Sequence, residues 1–468
     1  VRVIIEAVRE NEMKFDAIAI GSGQAGNPLS FALADLGWKM ALIERSELGG
    51  SCINTGCTPT KTMVASAQVA HYARDAARWG VRAGDVSVDM PAVVARKNLV
   101  VGNGRKGVQK RIDARPNVKL IHGQAKFTGP HQVQVGTELF ESEKIFIDTG
   151  TRPAIPKIPG IDTVPFLTNA TVMELQTVPE HLLILGGGYI GLEFSQIFRR
   201  FGSRVTVIHT GARIMPREDP DIASTLQKAL EAEGIVFRVS TTTKRAENRN
   251  GVVTLTVETP HGDEILQGSH LLVATGRRPN TFDLGLEAAG VATDAHGYVK
   301  VNSRMETNVP GIWALGDVKG GPAFTHISYN DYQIAFANIV EGKNLTIENR
   351  YLPYALFTDP QLGRVGITET EARESGRKFK MGTIPMSSVS RAIERDETAG
   401  FMKIIVDARS DRILGAAILG SEGGETVQIL GAMILADAPW TVLKGAVFIH
   451  PTLAEGFFGL MESVKPAN

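Results

Sequence analysis

Twice along this chain a short apolar run passes into a turn of spaced glycines and then into a helix-like stretch, an order that few folds accept. The first begins with Phe15 to Ile20, turns through Gly21-Ser-Gly-Gln-Ala-Gly26, continues as Leu29 to Leu36, and returns as the strand Lys39 to Ile43, ending on Glu44. That order predicts a dinucleotide-binding unit. Gly21 permits the turn, Gly23 lets the backbone approach a pyrophosphate, Gly26 allows close helix packing, and Glu44 accepts from a ribose hydroxyl. The second unit runs from the strand His181 to Leu185 through Gly186-Gly-Gly-Tyr-Ile-Gly191 into the helix Leu192 to Phe201 and the strand Arg204 to Ile208. No acid closes it; His209 stands there, with Arg213 and Arg217 beyond. An acid would bind the 2′-hydroxyl of NADH and repel the 2′-phosphate of NADPH, so its absence favours NADPH or the use of both. The two arginines are equally consistent with solvated surface charges.

Both cysteines of the chain, Cys52 and Cys57, lie in Gly49-Gly-Ser-Cys-Ile-Asn-Thr-Gly-Cys-Thr-Pro-Thr-Lys61. Such closeness points to a pair rather than to two buried thiols acting as small hydrophobes. Gly49, Gly50, Ser51 and Gly56 let the backbone bend until the two Cα atoms come within disulfide range, about 4.4 to 6.8 Å. Pro59 suits the first turn of a helix that continues through Met63, Val64, Ala67, Ala70 and Ala73. Cys57 would then sit at a helix N-terminus, where the dipole favours a thiolate. Lys61, one turn on, can reach back toward the same place.

Gly84 to Arg115 reads as a mostly helical excursion, and Val118 to Ile147 as short strands closing on Asp148-Thr-Gly-Thr-Arg-Pro153. A similar ending, Ala-Thr-Gly-Arg-Arg-Pro, closes Leu271 to Pro279, so the pattern is duplicated. Gly311 to Val318 is a strand that delivers Asp317 to its end, where a carboxylate can take a ribityl or ribose hydroxyl. Thr325 to Asn338 is a helix whose N-terminus can face flavin or phosphate. From about Tyr351 strands (Met402 to Asp407, Ile413 to Leu419) and a helix (Glu425 to Ala436) follow with no further glycine turn, which predicts a separate α+β domain. It ends in Val447-Phe-Ile-His-Pro-Thr-Leu-Ala-Glu455. Thr452 and Glu455 have the spacing of a capping box, which accounts for both without function but leaves His450 unexplained.

A chain of 468 residues holds two to four domains, and 43% hydrophobic residues with 49 Gly and 22 Pro make a globular, turn-rich composition. Fifty basic residues balance fifty acidic ones, so no basic field argues for nucleic acid or an anionic membrane, and a small ligand is expected. No apolar run reaches the roughly 18 residues of a membrane span. Val1 to Glu12, read as a short extension without a motif, mixes Arg and Glu where a signal peptide needs an apolar stretch. A cytoplasmic protein is expected, and there a close cysteine pair is more plausibly catalytic than structural. No resident metal site is expected.

Taken in order over nearly the whole chain, the two glycine turns, GGSCINTGCTPTK, ATGRRPN, ALGDV and HPTLAE resemble the two-cysteine pyridine nucleotide-disulfide oxidoreductases. Dihydrolipoamide dehydrogenase, glutathione reductase and mercuric reductase belong to that family. The resemblance implies an α/β fold with two Rossmann-like domains and a homodimer. Its parts would be an FAD domain (residues 1–150), an inserted NAD(P) domain (151–278), a returning FAD segment (279–348) and a C-terminal α+β dimerisation domain (349–468). FAD would be held at Gly21, Gly23, Gly26, Glu44, Lys61, Ala125, Gly150, Asp317 and Thr325, with Gly50 and Ser51 counted beside them. Gly186, Gly188, Tyr189, Gly191, Glu193 and Gly276 would line the NADPH or NADH side, joined by His209 and Arg213 on the reading above. The resemblance also assigns roles. Cys57 would be the thiol in charge-transfer contact with the flavin, and Cys52 the interchange thiol that meets substrate. His450 would be the acid-base completing the partner subunit's site, its imidazole held by Glu455. Lys61 and Glu193 would pair near flavin N5, and Tyr189 would gate the nicotinamide pocket.

Three departures bear on the substrate. The tail from Phe457 to Asn468 lacks the cysteine pair of mercuric reductases while His450 is present, and Phe31 stands where glutathione reductase has an arginine clamp. Tyr189 and His209 depart from dihydrolipoamide dehydrogenase. The expected activity is NAD(P)H-dependent reduction, through a Cys52–Cys57 disulfide, of a small-molecule disulfide or thiol-reactive compound. The alternatives are reduction of a soft metal ion, lipoamide chemistry, or a flavin redox sensor that does not turn over.

Overall fold

The computed structural model describes residues 12–467, so the Val1 to Glu12 extension falls, apart from its last residue, outside the described part. The described residues form two compact units: 12–62, 92–154 and 276–350 in one, 63–91, 155–275 and 351–467 in the other.

In the first unit β1 (Ala17–Ile20) leads through the glycine turn into α1 (Gly26–Asp35) and back along β2 (Met40–Glu44). The short α2 (Gly50–Asn54) and the start of α3 (Cys57–Asp75) carry the cysteines, and α4 (Met90–Asp113) follows. β3 (Val118–His122) and β4 (Ile145–Ile147) complete, with the strand Ile312–Ala314, a five-stranded sheet ordered Ile312–Ala314, β4, β1, β2, β3. Every pairing in it is parallel. Successive side chains of a strand point to opposite faces, and both faces here are buried, which is why these strands read as unbroken apolar runs. Ala17, Ala19 and Phe146 meet Leu29 and Leu33 of α1 and Ile334 of the helix Thr325–Val340. Ile18, Ile20, Ile145 and Ile147 meet Phe127, Val133 and Phe140 from strands between Ala125 and Glu141. α1 starts at Gly26 itself, three residues before the expected Leu29, and a side chain at this position would strike the Gly21 carbonyl.

The second unit repeats the plan. β5 (His181–Leu185) turns into α5 (Tyr189–Phe201) and pairs in parallel with β6 (Arg204–Ile208); α6 (Pro220–Ala232), β7 (Ile235–Arg238) and β8 (His270–Val273) complete a sheet ordered β7, β6, β5, β8. Leu183 and Leu185 pack on Ala246, Val253, Leu255 and Val257 of a three-stranded antiparallel sheet. Beyond it, β9 (Tyr354–Leu356), β10 (Gln361–Gly366), β11 (Phe379–Pro385), β12 (Phe401–Asp407), β13 (Ile413–Gly420) and Lys465–Pro466 form an antiparallel sheet. Its core, with Ile404, Ile418, Val427 and Phe457, is its own. Among the described residues no helix is long and apolar enough to cross a membrane.

Candidate active site

The cysteines lie on two consecutive helical pieces, Cys52 inside α2 and Cys57 as the first residue of α3. The bend that brings them together needs small residues. Gly49 and Gly50 adopt φ of 101° and 62°, and a Cβ on Gly56 would lie 2.9 Å from the Ser51 carbonyl oxygen. Both stand as thiols, Cys52 half-buried and Cys57 exposed, and Cys57 Sγ lies 3.2 Å from Oγ1 of Thr325, which opens the helix Thr325–Val340. A hydrogen bond to Cys57, then burial, then the charge of Cys57 push the Cys52 thiol far above its ordinary value, against the opposing pull of Thr325 and Lys61. Cys52 therefore keeps its proton at neutral pH.

This dithiol segment lies on the first glycine turn: a Cβ on Gly50 would come 2.8 Å from Gly23 Cα. Glu44, at the end of β2, accepts from Ser22 N–H and from Ser46 N–H, each at 2.9 Å, so it ties the turn to the strand end. Ala125 is buried at the head of its strand, and Gly150 sits at φ 64° with open space where a Cβ would be. Asp317 accepts from Thr151 Oγ1 at 2.9 Å. Gly276 is likewise open, at φ 139°.

The second turn shows the division of labour among its glycines. A Cβ on Gly186 would lie 2.4 Å from the Ala274 carbonyl oxygen and one on Gly191 2.0 Å from that of Gly186, whereas Gly188 faces open space, which leaves room for a phosphate to approach the backbone. Tyr189 opens α5 and meets Tyr354 edge-on at 5.7 Å, and burial pushes its phenol up to about 12. Glu193 is buried and accepts from Phe357 N–H at 3.0 Å. His209 Nδ1 accepts from Gly187 N–H at 3.3 Å, and burial holds its pKa below the usual imidazole value. Arg213 and Arg217 are exposed, and Arg213 Nη2 donates to the Pro216 carbonyl at 3.3 Å.

At the far end of the second unit the His450 side chain is 71% exposed, and its Nδ1 lies 3.0 Å from each Glu455 oxygen. The same carboxylate accepts from Thr452 N–H at 3.1 Å. The two readings of Glu455 thus coexist, one group capping a turn and holding an imidazole.

Two groups escaped the sequence reading. Asp148 is buried against the first glycine turn, and a buried cluster of Glu218, Asp219, Arg364 and Lys403 lies in the second unit. The only signal for the first was a lone acid at the end of an apolar strand; for the second there was none, because Glu218 and Arg364 lie 146 residues apart.

Two sheets that each end at a glycine turn call for two dinucleotides, and a dithiol seated on one turn calls for a cofactor there that exchanges electrons with sulfur. The class so defined is a dithiol oxidoreductase driven by nucleotide cofactors. The family model described as pyridine nucleotide-disulphide oxidoreductase matches residues 15–331, and the dimerisation-domain model of that family matches residues 352–459. The chain belongs to this family, the flavoprotein disulfide reductases that work with FAD and NAD(P)H. It is 38% identical over 460 residues to the probable pyridine nucleotide-disulfide oxidoreductase RclA of Escherichia coli (strain K12), covering 97% of this chain and 100% of that one. It is 35% identical over 449 residues to the mercuric reductase of Streptomyces lividans, covering 94% of each. It is similar to the solved Cu(II) complex of the HOCl-induced flavoprotein disulfide reductase RclA from Escherichia coli, with TM-score 0.88 at 37% identity, covering 96% of this chain and 99% of that one.

Proposed function

We propose that this enzyme works as a homodimer that reduces a small-molecule disulfide or another thiol-reactive compound through Cys52 and Cys57, at the expense of NAD(P)H. The observation that carries this is the dithiol itself: two thiols joined by a hydrogen bond, with the proton held on Cys52 and Cys57 placed at a helix N-terminus. Gly21, Gly23, Gly26, Glu44, Gly50, Ser51, Lys61, Ala125, Gly150, Asp317 and Thr325 would hold FAD, and Gly186, Gly188, Tyr189, Gly191, Glu193, His209, Arg213 and Gly276 the nicotinamide coenzyme. Bound FAD would take a hydride from the coenzyme and pass the electron pair to sulfur. The chain's own residues then govern protons. A Cys52 that holds its proton needs a base before it can attack sulfur. His450 suits that role, because with Nδ1–H given to Glu455 its Nε2 is the acceptor, and it would serve Cys52 of the partner subunit.

The matched spans 15–331 and 352–459 support the division into FAD parts (1–150, 279–348), an NAD(P) domain (151–278) and an interface domain (349–468). The missing acid at His209 supports NADPH or dual use, and the thiol pair supports a cytoplasmic setting. A second reading, reduction of a soft metal ion, is supported by the mercuric reductase relative and by the Cu(II) complex of the solved neighbour.

Anaerobic titration with NADPH and then NADH, followed at long wavelength, should give a thiolate band that disulfides discharge. Turnover of Hg(II) or Cu(II) with none of any disulfide would replace the first reading by the second. A protein whose absorbance shows no thiolate band with either coenzyme would overturn both.

A further inference from the structure

The two glycine turns differ in the residue that the neighbouring strand sets against them. β4 ends in Asp148-Thr-Gly and β8 is followed by Ala274-Thr-Gly, and each strand end lies against the first glycine of its own turn, with a Cβ on Gly21 2.2 Å from the Asp148 carbonyl oxygen and one on Gly186 2.4 Å from that of Ala274. Asp148 therefore stands where the second unit has alanine. Its side chain fills space that the second turn leaves open: a Cβ on Gly23 would lie 2.6 Å from Asp148 Oδ2, while Gly188 has nothing within 4 Å. Oδ2 accepts from Gly26 N–H at 2.7 Å and from Ala25 N–H at 3.3 Å, so it caps a helix whose own N-cap residue, Ala25, has no side-chain oxygen.

Burial does most to hold the Asp148 pKa well above the usual carboxylate range, against the opposing pull of the Gly26 and Ala25 N–H groups, and Asp317 and Asp331, beyond Gly316, which Oδ1 faces, raise it further. Asp331 is itself paired with Lys319 at 3.0 Å and Arg350 at 2.8 Å, Asp317 is bonded to Thr151, and Glu44 faces Ser22 of the same turn. A pyrophosphate at this turn would bring further negative charge to the helix end that Asp148 already occupies.

We propose that Asp148 is a further FAD-binding residue, a carboxyl that caps α1 and is protonated when FAD is bound, so that FAD is taken up together with a proton. The inference rests on the reading that FAD occupies the first turn. A neutral carboxyl keeps its acceptor oxygen for Gly26 N–H and removes the repulsion; an ionised one opposes the pyrophosphate. Affinity for FAD therefore falls as pH rises from the value at which Asp148 ionises without FAD to the higher value at which it ionises with FAD.

The test is FAD release from the purified holoenzyme, diluted at pH 5.5 to 9 and followed by the fluorescence of FAD passing an ultrafilter. The wild type should show a dissociation constant that rises with pH, by as much as about tenfold per unit. Asp148→Asn, which keeps the acceptor, should show a flat profile and bind more tightly than wild type at alkaline pH. Should that variant not accumulate, Asp148→Ala, which copies the second unit, should also be flat. Equal slopes in wild type and variant, or a flat wild type, would overturn the proposal while leaving FAD in place. Absence of bound FAD at every pH would remove the cofactor reading itself.

Discussion

His450 projects from a fixed turn with one nitrogen held and the other turned outward, while Cys52 holds a proton it must lose before it can attack sulfur. His450→Ala should lower disulfide turnover on the order of 10² to 10⁴-fold, with flavin reduction by NADPH unchanged in single-turnover stopped flow; unchanged turnover would remove His450 from the chemistry. Cys52→Ser should still be reduced by coenzyme and yet fail with every disulfide, and residual steady-state reduction would show another route. At His209, burial lowers the pKa below the usual 6.5, so the imidazole is neutral at pH 7 and gains its proton only in acid. The ratio of kcat/KM for NADPH over NADH should therefore rise as pH falls through that lowered value, and His209→Asp should shift it toward NADH on the order of tenfold or more. A ratio that does not move with pH would show that this side chain does not meet the 2′-phosphate. The residues named here were legible because their chemistry is local: a spacing, a cap, a missing acid. Asp148 was not, since its meaning comes from Gly26, 122 residues away.

Elements were legible where the period was strong. β1 and β5, with their turns and helices, fall within a few residues of the expected limits because glycine spacing and apolar runs agree. α2 was not foreseen, since its five residues have too little length for a period and depend on the positive φ of Gly49 and Gly50. α4 begins only at Met90, so the expected excursion from Gly84 is irregular for its first residues. The cluster between α6 and β10 is also a matter of elements. Arg364, 1% exposed, meets Glu218 at 2.6 Å and Asp219 at 3.2 Å, Lys403 adds a second cation, and Tyr354 OH bonds Glu218. Arg364→Ala should cost about 3 to 5 kcal/mol in denaturant unfolding, because it leaves two buried carboxylates facing each other. A loss below 1 kcal/mol would mean that water reaches the cluster. Burial raises the Asp219 carboxyl, but the Thr370 N–H, Arg364 and Lys403 outweigh it and hold its pKa below 3.8. Its share of stability is thus present above pH 4 and lost as pH falls through that lowered value.

At the scale of the molecule, the family's dimerisation domain leaves Val447 97% and Ile449 79% exposed beside His450. Two uncovered aliphatic side chains next to the histidine proposed as acid-base fit a face that a second copy covers. Ile449→Asp should shift sedimentation toward monomer and abolish disulfide turnover while coenzyme-driven bleaching of the flavin persists. An active monomer would show that His450 serves its own subunit. That each glycine turn follows a strand of a parallel sheet could be read in advance, but the joining of distant segments within the second unit could not. Phe357 N–H donates to Glu193, Asp359 N–H to Gln196 and Arg200 to the Asp359 carboxylate, three residues along one face of α5. A gene fragment encoding only residues 155–275 would carry the whole coenzyme fold and still present that stripe bare to water. Such an excised piece should express as a weakly NADP-binding product of lowered stability, and supplying residues 351–467 as a separate peptide should raise its unfolding midpoint.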